Sequence, residues 1–212
     1  MNNITFEHEA DTNHKKENIE WLRIWCEDVN DNTLPHVALI GDSITEGYYH
    51  LVKSALKDIA KVDYLATSYS IASDMYSDTV KNFVKDSKYQ VVHFNYGLHA
   101  FAVDGETYEI RCKDLLEFVA SRTKVVVGTT TTVLDDTLHD ENRQWKDKVI
   151  ERNQKLHKIA DELHLAIDDL NGVCKTFTLS DRNPDGVHFN ESGYTSFAES
   201  VVQSIKKQLE RR

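Results

Sequence analysis

One serine of this chain is placed where nucleophilic chemistry is possible. Ser43 ends the stretch Val37-Ala38-Leu39-Ile40-Gly41-Asp42-Ser43, and the residues after it, about 45–60, suit a helix. A short apolar run of β character therefore meets a glycine, an acid and a serine just before a helix. A serine at such a strand-to-helix turn presents its hydroxyl at the carboxyl end of a sheet, where α/β folds build their sites. The helix N-terminus beside it offers N–H groups and the positive end of a dipole, which suit a developing oxyanion. A serine hydroxyl still needs a base. The base on offer lies near the other end of the chain, in Asp185-Gly186-Val187-His188-Phe189, so only folding can bring the two together. Each half alone has an ordinary reading: Gly-Asp-Ser as a turn with a helix cap, and Asp-x-x-His as a turn aspartate beside a surface histidine.

The elements that must position these residues follow from the apolar pattern. Short apolar runs recur at Val37–Ile40, Val62–Ala66, Val91–Phe94, Lys124–Thr130 and Ala166–Asp168. Helix-compatible stretches lie between them at about 45–60, 75–87, 104–121 and 142–164, and a last helix is expected at 191–210. Strand alternating with helix implies parallel pairing and right-handed crossovers. Continuous rather than alternating apolar runs fit strands buried on both faces. The fold class expected is α/β, with a central five-stranded parallel sheet between helices. Ser43 then follows the first strand, Ser73 the second, Gly97 to His99 the third, and Thr130 to Val133 the fourth. Asp185 and His188 lie in the long loop after the fifth. All these loops fall at one edge of the sheet and converge on one crevice. Ahead of the first strand, Ile19-Glu20-Trp21-Leu22-Arg23-Ile24-Trp25-Cys26 reads as a helix with an apolar face, packed on the domain's side. Residues 1–18 read as a mobile polar arm, and 19–212 as one domain.

Three blocks, Gly41-Asp42-Ser43, Phe94-Asn95-Tyr96-Gly97-Leu98-His99 and Asp185-x-x-His188, resemble in order and spacing the GDSL/SGNH hydrolases. The resemblance runs from about Pro35 to the C-terminal helix. It implies a three-layer α/β/α sandwich of flavodoxin-like type and a serine ester hydrolase. It also implies Ser43 as nucleophile, His188 as general base and Asp185 as the carboxylate that orients it. The oxyanion donors it implies are the backbone N–H groups of Ser43 and Ser73 and the side chain of His99. The family usually reads Gly-x-Asn-Asp where this chain reads Gly97-Leu98-His99-Ala100. A neutral imidazole still carries one N–H donor, and Asn-x-Gly-Leu-His resembles a branch of the family. Ser73 stands where a glycine is usual, and a backbone donor needs glycine only if its dihedral angles do. Asp42, Asn95, Gly97 and Thr131 are candidates for lining the substrate crevice. The implied chemistry is hydrolysis of a short-chain acyl ester, acetyl by preference, with a carbohydrate as one carrier and no metal or organic cofactor. The alternatives are a lysophospholipase or thioesterase of the same fold and a catalytically inactive binding domain. A flavodoxin-like phosphate binder is disfavoured, because Asp42 and Glu46 in the first loop repel phosphate.

Composition narrows the partners. The chain has 212 residues, 40% hydrophobic and 28% charged, with a formal net charge of −10 and no basic cluster. Nucleic acid and anionic membrane surfaces both require cationic patches, so neither is expected as a partner. No apolar run approaches the ~18 residues of a membrane span. Met1 to Asn18 has no signal-peptide core, so the expected location is cytoplasmic, or secreted if a leader has been removed. Nothing in the sequence sets the oligomeric state. Cys26, Cys112 and Cys174 are widely spaced and read as free, buried thiols. His93, inside an apolar run, reads as a core histidine with a partner. His157 and His164 read as a solvated helix face. Asp135, Asp136, His139 and Asp140 are too irregularly spaced to suggest a metal.

Overall fold

Val37, Ala38, Leu39 and Ile40 have no exposed surface at all. Successive side chains of a strand point to opposite faces, so this strand is covered on both sides. The computed structural model describes residues 19–85, 88–100, 102–133 and 145–211. The strands are β1 (Leu22–Trp25), β2 (His36–Gly41), β3 (Lys61–Thr67), β4 (Tyr89–Asn95), β5 (Lys124–Gly128) and β6 (Ala166–Asp168). The helices are α1 (Ser43–Leu56), α2 (Asp74–Lys85), α3 (Gly105–Ala120), α4 (Trp145–Glu162), α5 (Leu170–Cys174) and α6 (Glu191–Glu210). Short 3-10 turns sit at Leu98–Ala100 and Leu179–Asp181. The expected arm, residues 1–18, and the acidic loop with Asp135, Asp136, His139 and Asp140 lie outside the described residues. Among the described residues no helix is long and apolar enough to cross a membrane.

The sheet order is β1-β3-β2-β4-β5-β6. Strands β2 to β6 pair in parallel, as expected. Val37, Leu39, Val62, Val91 and Val126 pack on one face with α1, α5 and α6. Ala38, Ile40, Leu65, Val92, Phe94 and Val127 pack on the other with α2, α3 and the C-terminal part of α4. This is the three-layer α/β/α sandwich. The chain runs outward in one direction through β2 to β3 and in the other through β4, β5 and β6. The order therefore reverses between β2 and β4, and open parallel sheets hold their ligands at such a reversal, beyond the strands' carboxyl ends.

The sheet has a sixth strand. Residues 22–25 form β1, antiparallel to β3, where a helix was expected. Trp21, Leu22, Ile24 and Trp25 satisfy a helical stripe, but aromatic and β-branched residues equally favour strands, and eight residues are too few for periodicity to decide. Tertiary pairing decides instead. Leu22 sits beside Thr67 and Trp25 beside Tyr64, the Ser68 N–H donates to the Trp21 carbonyl at 3.1 Å, and the Trp21 N–H donates to Ser68 Oγ at 2.9 Å. His93 is the core histidine expected: it has no exposed surface, and its Nε2 lies 3.0 Å from Asp168 Oδ2. Ser200 on α6 donates to the other oxygen of Asp168 at 2.5 Å, tying β4, β6 and α6 together. His157 is exposed on α4, whereas His164 lies beyond the helix end with a φ of 55°.

Close approach at the reversal demands a residue without a side chain. A Cβ on Gly41 would lie 2.4 Å from the Asn95 carbonyl oxygen and 2.0 Å from Thr45 Oγ1. The carbonyl belongs to the neighbouring strand and cannot step aside. Gly41→Ala is therefore expected to cost about 1–3 kcal/mol, as overpacking of a tight interior does. Urea unfolding of parent and variant measures it, and a loss below about 0.5 kcal/mol would show that β2 and β4 can separate there.

Candidate active site

The turn that carries Ser43 begins with Asp42. Asp42 has extended dihedrals, φ −120° and ψ −155°, and its carboxylate accepts from the Ile44 N–H at 2.9 Å, capping α1. The helix starts at Ser43, two residues earlier than the pattern of apolar residues suggests. Ser43 is thus the first helical residue, and the helix itself supplies no acceptor for its N–H. Asp42 is 2% exposed. Burial pushes its carboxyl up; the facing His99, the Ile44 N–H, His188 and the Leu98 N–H only partly offset this. Ser43 itself is half-buried and reachable.

The second half of the site is a tight turn. Asn183-Pro184-Asp185-Gly186 carries turn-forming residues at each position. The Gly186 N–H donates to the Asn183 carbonyl at 3.2 Å, and Gly186 has a φ of 73°, a region that disfavours a side chain. The Asn183 N–H donates to the His188 carbonyl at 3.0 Å, and Arg182 bridges Phe189 in antiparallel fashion. Asp185 Oδ1 accepts from the N–H groups of Val187 at 2.9 Å and His188 at 2.8 Å. Its Oδ2 lies 2.8 Å from His188 Nδ1, and His188 Nε2 lies 2.8 Å from Ser43 Oγ. Burial alone would raise the Asp185 carboxyl, but the two amides and the imidazole outweigh it and hold the group below its usual range. An ionised Asp185 can only accept, so Nδ1 carries the proton and Nε2 is left to accept from the serine hydroxyl.

This turn is fastened to its surroundings. The Arg182 guanidinium donates to the Thr132 carbonyl at 3.0 Å and to the Thr132 hydroxyl, and it stacks 4.6 Å from the centre of the Phe189 ring. Asn190 caps α6 by accepting from the Ser192 N–H at 3.0 Å. The turn that carries His188 is therefore held between the loop after β5 and the start of α6.

The remaining expected residues divide. His99 lies half-buried on the 3-10 turn after β4, and its charge acts on Asp42 across the reversal. Ser73 is buried, and its N–H already donates to the Ser70 carbonyl at 2.9 Å. In the same turn the Ala72 N–H has a weaker hold, 3.3 Å to Ser70 Oγ, a hydroxyl that can rotate away. Asp42, Asn95, Gly97 and Thr131 were expected to line the crevice, and all four are buried. The Asn95 amide donates to the carbonyls of Gly128 at 3.2 Å and Thr129 at 3.0 Å, bracing β4 against β5. Thr131 is 1% exposed. Asp42 caps α1 and Asn95 braces β4 from the end of its strand, so both side chains are already engaged. The sequence reading passed over Arg152 and Arg182. Arg152 had a signal: it stands in a stripe with Val149, Leu156 and Ile159, at the spacing of a buried helix face. Arg182 had none, since its role depends on a contact fifty positions away in sequence. Among the described residues no group of three or more His, Cys, Asp or Glu side chains is placed to hold a metal ion.

No protein-family model and no curated protein sequence matches the chain. Solved structures do. A lipase/acylhydrolase from Enterococcus faecalis superposes with a TM-score of 0.70 at 17% identity, over 82% of this chain and 97% of its own. A member of the lipolytic protein G-D-S-L family from Veillonella parvula gives 0.65 at 16% identity, over 81% and 98%. The chain has the fold of the GDSL-type acylhydrolases. An acetylxylan esterase from Geobacillus stearothermophilus shares it too, with a TM-score of 0.62 at 17% identity, over 81% of this chain and 94% of its own.

The burial of Asp42 has a measurable sign. Its carboxyl is raised in the folded state, so folding favours the neutral form, and stability is lost as pH rises through the carboxylate range toward the folded value. Asn keeps the capping oxygen and removes the charge. The Tm of Asp42→Asn minus that of the parent should therefore rise between pH 4 and pH 7. A difference that falls over that interval would mean that the ionised carboxylate is the better partner for the turn.

Proposed function

We propose that the protein is a serine ester hydrolase working through Ser43, His188 and Asp185. One observation carries this reading: the unbroken hydrogen-bonded chain from Asp185 through His188 to Ser43, with 2.8 Å at each link. The acylhydrolases that share the fold support it. His188 takes the Ser43 proton on Nε2 as Oγ attacks the acyl carbonyl. Asp185 stabilises the imidazolium that results and fixes the ring's orientation. The tetrahedral oxyanion is held by the Ser43 N–H at the α1 N-terminus, by the His99 side chain and by an amide of the Ser70–Ser73 turn, for which Ser73 would share its present bond. The imidazolium returns its proton to the leaving alcohol. Water, deprotonated by the same histidine, then releases the acid and restores the serine.

The acyl group we propose is short, acetyl by preference, with acetylated carbohydrate as one source. The acetylxylan esterase among the similar structures supports this choice. The polar rim made by His99, Ser43 and the Asp185 turn supports it as well. The chain of residues requires no metal or organic cofactor. Rates on p-nitrophenyl acetate, butyrate, octanoate and laurate, alongside acetylated xylan, test the substrate class. A rate that climbs with chain length would replace this reading with a lysophospholipase or thioesterase.

Ser43→Ala should lower the rate on p-nitrophenyl acetate by ~10⁴-fold or more while the circular dichroism spectrum and Tm stay those of the parent. A fluorophosphonate should modify the parent at Ser43. Residual activity above a few per cent in the variant, or labelling at another residue, would remove Ser43 from the mechanism.

Asp185→Asn should lower kcat/KM on the order of 10²–10⁴-fold, because the amide no longer stabilises the imidazolium. The folded-state carboxyl lies below its usual range, so Asp185 is ionised throughout pH 5 to 9 and its contribution disappears only at lower pH. The parent's log kcat/KM should accordingly fall toward acid with a slope of one down to pH 5. A slope of two within that window would show a second group, the carboxyl, taking up a proton.

A further inference from the structure

We propose that Arg152 and Tyr108 form a buried clamp that positions His99. The inference rests on the hydrolase reading, in which His99 serves the oxyanion, and extends it to two residues outside the crevice. Arg152 has no exposed surface. Its Nη2 donates to the Ala100 carbonyl at 3.2 Å and to the Val103 carbonyl at 2.5 Å. Its guanidinium lies 4.7 Å from the centre of the Tyr108 ring, and the Tyr108 hydroxyl donates to the Tyr96 carbonyl at 3.2 Å. The carbonyls held in this way stand on either side of Gly97-Leu98-His99. The two holding residues come from different helices, α3 and α4, and are stacked on each other.

An arginine is an expensive choice at this position. Val149, Leu156 and Ile159 make the buried stripe of α4, and a leucine at 152 would continue it without desolvating a charge. Burial pulls the guanidinium's proton affinity down, with Glu151, Tyr108 and Asp104 opposing. The return is geometric. Within the turn carrying His99 the Ala100 N–H reaches the Gly97 carbonyl at 3.4 Å, and the Val103 N–H reaches the Ala100 carbonyl at 3.0 Å. Both bonds leave one nitrogen, Nη2, whose two N–H groups are fixed in the guanidinium plane, so the two carbonyls are held at one set geometry; a lysine ammonium turns freely on a flexible stem. An oxyanion donor displaced by about 1 Å loses most of its effect.

Arg152→Lys keeps the charge and loses the planar donor group; Tyr108→Phe keeps the ring and loses the hydroxyl's bonds to Tyr96 and Cys112. Each is made in the parent and in His99→Ala, with kcat and KM measured on p-nitrophenyl acetate and amide hydrogen exchange on the same proteins. In the parent, Arg152→Lys should lower kcat on the order of 10²-fold with KM changed less than about twofold. In the His99→Ala background the same substitution should change kcat less than about threefold, because the residue it positions is gone. Exchange at the Ala100 and Val103 amides should quicken at least about tenfold in both backgrounds. Tyr108→Phe repeats the cycle with smaller losses and decides the matter if the lysine variant does not fold. Equal losses with and without His99, or unchanged exchange at both amides, would overturn the clamp. A parent inactive on every ester would overturn the hydrolase reading, while the exchange measurement would still judge the clamp.

Discussion

The parallel pairing of β2 with β4 is the contact on which the chemistry depends. It places Gly41 beside Asn95, so the turns that follow these strands open at the same level and at the one point where the sheet's order reverses. Ser43 comes from one turn and His99 from the other. The pairing is held by apolar burial on two faces and tolerates no side chain at Gly41. Asn95 extends the tie to β5, and through Gly128 and Asp168 the same level continues to β6. The site is thus an edge of the sheet, and its precision is that of a packed core.

Two carboxylates beside the serine are driven in opposite directions by their surroundings. Asp42 loses nearly all its water, and two amide N–H groups and two imidazoles do not make up for it, so its charge is disfavoured. Asp185 keeps half its exposure and receives two amide bonds and an imidazole, so its charge is favoured. One is suited to capping a helix and linking two turns, the other to facing an imidazolium. Identical side chains, each with two amide donors, differ because one keeps its water and the other does not.

Most of the architecture was legible because both signals it needed are local. Continuous apolar runs marked β2 to β6, and the turn residues after them marked where the crevice opens. The pairing of Ser43 with His188 was legible from residue types at loop positions, without any knowledge of distance. What escaped has a common cause in tertiary context. Residues 22–25 became a strand because β3 had a free edge to pair, a fact absent from the eight residues themselves. Asn95 is buried because the sheet is covered on both faces, and its amide braces β4 against β5, a partnership that its position in the sequence does not show. The Ser73 amide is engaged within its own turn, which a motif position cannot reveal. Arg152 and Arg182 act through backbone carbonyls, acceptors that every residue possesses and no sequence pattern marks.

The placing of Ser43 on one piece of chain and of Asp185 and His188 on another has a mechanical consequence. Asp185 and His188 belong to one six-residue turn whose internal bonds hold acid and imidazole together, and a single hydrogen bond joins that turn to Ser43. If the turn swings outward, it carries an intact pair with it and leaves the serine behind as an ordinary alcohol. Such a swing would also break the Arg182 tether to Thr132, which holds the turn in place beside Ser43.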